Sequence, residues 1–103
     1  MDQNIKRLPQ TVDQAVDRLL SELSFKEKTK IANIPKKDLA CLHFSLGMHI
    51  RNKFELWSEN KELIESCQLV SGDNYLHPDD ASSVIIDNLW KRLQNLNVLR
   101  VIK

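Results

Sequence analysis

Between Lys36 and Trp57 the chain carries apolar residues at helical spacing, with a single glycine and no proline. At about 100° per residue, Leu39, Leu42, Leu46, Ile50, Phe54 and Trp57 fall on one face, and Cys41, Phe44 and Met48 fall on the opposite one. A helix that is apolar on two sides has neighbours on both flanks, so the spacing predicts a central helix over about 36–54. Two narrow polar lines run between the faces, one of Ser45, His49 and Asn52, the other of His43, Gly47 and Arg51. Gly47 costs roughly 1 kcal/mol relative to alanine inside a helix. What its missing side chain permits is close approach of another backbone or a ligand.

The rest of the chain agrees with this frame. A length of 103 residues suffices for one core without disulfides or metal. Two glycines and three prolines leave little material for the turns of a strand-rich fold. The expected architecture is all-α, a compact bundle of four to five helices, with an extended lead-in over 1–10 and a single helical domain over 11–103. Thr11 with Gln14, and Ser24 with Glu27, are capping-box spacings that open a first helix and a short second one ending before Pro35. A fourth helix is predicted from about Ser58 or Asn60 to Cys67, followed by a Ser71-Gly72-Asp73-Asn74 break. His77-Pro78-Asp79-Asp80 opens a last long helix, with proline at its first position and acids where the helix dipole favours them. The apolar tail from Leu96 to Lys103 is too short to assign from its pattern.

Fifteen basic against 14 acidic residues give no field that would attract nucleic acid or an anionic membrane, so neither is an expected partner. The lysines at 26, 28, 30, 36 and 37 read as a solvated surface. No run approaches the ~18 apolar residues of a membrane span, and no apolar leader core is visible, which points to the cytoplasm. Cys41 and Cys67 lack a CxxC spacing and read as reduced structural thiols. His43 and His49 stand about 240° apart on a helix, so they cannot ligate one ion together, and no metal or cofactor is expected. No nucleophile motif or glycine-rich phosphate loop occurs, hence no catalytic residue is assigned.

One resemblance spans nearly the whole chain. Pro9, Thr11, Asp13, Ala15 and Val16, the run from His43 to Asn52, Leu56-Trp57, Asn60, and His77 through Ser82 resemble a family of small bacterial all-helical proteins of unassigned function. The resemblance implies no activity. In that pattern a glycine usually precedes the Leu-Trp pair, whereas Glu55 stands here, which leaves open whether a tight turn forms.

The remaining feature is a candidate polar cluster in which His43, Arg51 and Asn52 meet Asp79, Asp80 or Ser82 at the start of the last helix. Arginine and aspartate are a natural pair, and such a cluster either ties the last helix to the core or forms a site. The expected function is a protein-interaction, regulatory or immunity-type module whose partner is another protein, with a homodimer as a further option. The alternative is a domain binding a polar or anionic small ligand, with or without chemistry, at His43, Arg51 and Asp79.

Overall fold

The Thr11 hydroxyl accepts the Gln14 N–H at 3.1 Å and starts α1, Val12–Glu22. The Gln14 side chain turns back to the Gln10 N–H at 2.8 Å, so the reciprocal half of the box reaches one residue further out than the spacing suggests. Val12, Ala15, Val16 and Leu19 are the buried stripe of α1. At Ser24 the capping box is complete in both directions and opens α2, Phe25–Ala32, which forces a corner directly after α1. In this computed structural model residues 8–57 and 60–96 are described, so residues 1–7 of the lead-in predicted over 1–10 and residues 97–103 of the tail predicted from Leu96 lie outside them.

The middle of the chain is helical from Lys36 onward, yet it is not one α-helix. Lys36–Leu42 is a 3₁₀ helix, His43–Gly47 a π turn, and Met48–Lys53 the α-helix α3. Pro35 caps the start in extended conformation. Changing from tight to wide winding rotates the early residues away from the even spacing that the sequence implies. Leu39, Leu42 and Leu46 are therefore only half-buried, and Ile50 and Phe54 alone of that stripe reach zero exposure. Among the described residues nothing covers the second apolar face, where Cys41, Phe44 and Met48 are exposed. Trp57, expected with the core stripe, is exposed too.

α3 ends in a Schellman turn. The Leu56 N–H donates to the Arg51 carbonyl at 3.0 Å and the Glu55 N–H to the Asn52 carbonyl at 3.3 Å. Glu55 takes φ 55° there, so the tight turn forms without glycine. Asn60, buried, then caps α4, Lys61–Ser71, by accepting the Leu63 N–H at 3.2 Å. Its amide nitrogen donates to the Pro9 carbonyl at 2.9 Å and the Phe54 carbonyl at 3.0 Å, fastening three segments at one point. Gly72, at φ 85°, closes α4 in the left-handed conformation that glycine favours.

α5, Pro78–Gln94, begins at the predicted proline and packs against α1, α2, α3, α4 and both turns before α3. Ala81, Ser82, Ile85, Ile86, Leu89 and Leu93 are its buried side. Full burial of an aliphatic side chain stabilises by roughly 1.5–3 kcal/mol, so α5 holds the five-helix bundle together. Two of its polar side chains finish α2: Trp90 Nε1 donates to the Ile34 carbonyl at 2.7 Å and Gln94 Nε2 to the Ala32 carbonyl at 2.8 Å. Among the described residues there is no strand, and no helix is long and apolar enough to cross a membrane.

Candidate functional site

Arg51 leaves α3 toward the first turn of α5 and is buried at 4% exposure. Gly47, one turn earlier, makes that path available. A methyl group placed on it would stand 3.0 Å from Arg51 Nη1 and 3.6 Å from Ser82 Oγ. Nη1 donates to Ser82 Oγ at 2.9 Å, and the Ser82 hydroxyl donates to the Asp79 carbonyl at 2.8 Å. Nη2 reaches back to the His43 carbonyl at a longer 3.5 Å.

Nε stands 3.4 Å from Asp79 Oδ1, within ion-pair range. The contact is not a hydrogen bond, and Nε is the buried side-chain nitrogen without one among the described residues. Asp79 itself is about half-exposed. The Trp57 ring lies over the guanidinium at 5.9 Å, close enough for a cation–π contact, and His77 meets Trp57 edge-on with centroids 6.5 Å apart.

Of the six residues singled out from the sequence, Arg51, Asp79 and Ser82 come together through their side chains. His43 takes part only through its backbone, because its ring turns edge-on to Phe44 at 5.1 Å. Asn52 and Asp80 are exposed, and neither hydrogen-bonds nor ion-pairs with Arg51. Asn52, next to Arg51 in α3, points about 100° around the helix from it, and position 80 faces outward in the first turn of α5. Gly47, which the sequence places on one line with His43 and Arg51, belongs to the cluster, and so does Trp57, which the sequence places with the core stripe instead. Chemically the guanidinium is spent on a hydroxyl, a carbonyl and a carboxylate, and an indole covers it. That arrangement fixes α5 against α3.

A second feature has no motif in the sequence. α1, α2 and the middle segment diverge to leave an open groove of about 730 Å³. Its floor is apolar, made by Leu19, Leu23, Ile31, Ile34, Leu42 and Leu46, and Cys41, Ser45 and His49 line one wall. On the rim, Lys53 pairs with Glu22 at 3.3 Å. Glu27 accepts the Ser24 N–H at 2.9 Å, and that bond, the Ser24 hydroxyl and the charge of His49 hold its carboxyl below the usual range. The period of the apolar residues, the capping box at Ser24 and the stop before Pro35 were readable in advance; the groove that the diverging helices leave between them was not.

Among the described residues no three His, Cys, Asp or Glu side chains converge as metal ligands. Comparison with curated proteins and with solved structures gives no match. A family model described as a domain of unknown function, DUF6794, matches residues 8–93, and the chain therefore belongs to that family.

Proposed function

We propose that this domain is a cytoplasmic protein-interaction module, regulatory or immunity-type, without catalytic activity of its own. The observation that carries this reading is the open side of the middle segment. Phe44 is 79% exposed and Met48 49% exposed, one turn apart and beside the apolar groove. Large apolar side chains clustered in this way mark docking surfaces more often than solvated ones. Two free thiols fit a reducing compartment.

The alternative, a polar or anionic small ligand at His43, Arg51 and Asp79, asks for an accessible guanidinium. Arg51 is closed over, and Gly47, Ser82 and Trp57 already occupy its surroundings. A photo-crosslinking residue placed at Phe44 or Met48, compared with one at Asn74 in the loop before α5, tests the reading in native extract. A discrete protein adduct from 44 and 48, absent from 74, supports it. Equal or no adducts from all three positions would sink it.

A further inference from the structure

We infer that the middle segment is a two-state wall: Lys36–Gly47 rewinds into α-helix continuous with α3, and rewinding withdraws Leu42 from the groove. Sequence and winding disagree here. Lys36–Leu42 holds no glycine, proline or β-branched residue, and its lysines, leucines and alanine are among the better α formers. It is nevertheless 3₁₀ for seven residues, where runs beyond three or four are uncommon, and a π turn follows directly. Such departures inside a helix mark hinges or segments held against their own preference. What holds this one is tertiary: α5 packs on both stretches, and Arg51 Nη2 reaches the His43 carbonyl, where the winding changes, at 3.5 Å.

The two irregular stretches depart from α winding in opposite directions. A 3₁₀ helix turns about 20° more per residue than an α-helix and rises about 0.5 Å more, while the wider π turn does the reverse. Their effects on length and rotation offset each other, so both can become α while Pro35 and the Arg51–Ser82 bond stay in place. No residue of Lys36–Leu42 is fully buried, so that stretch can turn with little repacking. The residues that move most lie between the fixed ends, and there Cys41, Leu42 and Ser45 line the groove. In α winding Leu42 stands at four-residue steps from Leu46, Ile50 and Phe54. It turns toward that stripe, and the groove loses part of its apolar floor. Winding and occupancy are thereby coupled: what fills the groove favours the irregular form, and what favours the α form empties it. The regulatory meaning of this switch rests on the reading of the groove side as a docking surface; the rewinding itself does not.

A zinc clamp tests the rewinding. Positions 37 and 41 are exposed, so substitution there leaves the metal-free fold as it is. They stand about 40° apart around an α-helix and about 120° apart around a 3₁₀ helix. Lys37→His combined with Cys41→His therefore chelates Zn²⁺ from one face only after rewinding. The double variant should bind Zn²⁺ at least about tenfold tighter than Cys41→His alone or Lys37→His with Cys41→Ala, and saturation should slow amide hydrogen exchange over 38–46. Affinity no better than those controls overturns the inference. So does tight binding with unchanged exchange, because the metal has then closed on an unwound chain. Photo-crosslinking from Phe44 keeps the two readings apart. Adducts with a failed clamp leave the docking reading and remove the switch, whereas a working clamp without adducts leaves the rewinding and removes the docking.

Discussion

Arg51 Nη1 and Ser82 Oγ lie 2.9 Å apart in the interior, with the serine passing its own hydrogen to the Asp79 carbonyl. Ser82→Ala removes the acceptor of a buried charged donor and should destabilise by about 1–3 kcal/mol in urea unfolding. In an Arg51→Met background the same change should be nearly neutral, because no charge is left unpaired. Asp79→Asn should lose less than about 1 kcal/mol, since Asp79 is half in water. Equal losses from Ser82→Ala in both backgrounds would show that this hydrogen bond is not what holds α5.

Gly47→Ala tests the space rather than the bond. Alanine gains helix propensity worth roughly 1 kcal/mol, but its methyl would press on Arg51 Nη1 from 3.0 Å. The substitution should lower stability in the native background and raise it once Arg51→Met has removed the obstacle. A stabilising effect in both backgrounds would mean that the guanidinium yields freely.

Glu55 holds φ 55° at the close of α3. A left-handed non-glycine residue is strained by roughly 1–2 kcal/mol, partly offset by the larger unfolded-state freedom of glycine. Glu55→Gly should therefore raise stability by about 0.5–1 kcal/mol, and Glu55→Val should lower it. Thermal melts of the two variants moving in the same direction would contradict the strain.

Asn60 caps α4 and holds two carbonyls of distant segments. Asn60→Ala should lose about 2–4 kcal/mol, a cap together with unsatisfied buried acceptors. Asn60→Asp separates the two roles. It keeps the cap but faces a carboxylate toward the Pro9 and Phe54 carbonyls, so it should rescue little.

The local signals were legible and the neighbour-dependent ones were not. Ser24 with Glu27, and Pro78 ahead of two acids, act within one turn of backbone, and both opened helices where the spacing placed them. Phe44 and Met48 show the other case. Their period implied a second packed face, but nothing within the described chain covers that side. The pairing of Arg51 with an acid was suggested by charge alone, whereas the shorter bond runs to the Ser82 hydroxyl, whose inward direction depends on how α5 crosses α3. Asn60 was legible as a possible start of α4, but its hold on the Pro9 and Phe54 carbonyls depends on the lead-in and the end of α3 meeting around it.

Cys67 offers a pH test. Burial pushes its thiol from the usual 9.0 up to about 12. Above pH 9 the unfolded chain gives up this proton while the folded one keeps it, so the folded state binds more protons and stability falls as pH rises from about 9 to about 12. Below that window the contribution is flat. Unfolding free energies of the native chain and Cys67→Ala should converge with rising pH, and parallel curves would refute the assignment. Maleimide at neutral pH should modify Cys41 and spare Cys67.

The last carbonyl of α2, of Ala32, accepts from Gln94, 62 residues further along the chain, and the Ile34 carbonyl just beyond α2 accepts from Trp90, 56 residues along from it. An eight-residue helix is too short to persist by itself in water. On a ribosome α2 can therefore only flicker until α5 has left the exit tunnel, and the groove that α2 walls does not exist on the nascent chain. A partner that recognises this groove meets it only after α5 has been made, so docking also reports that synthesis has passed α5.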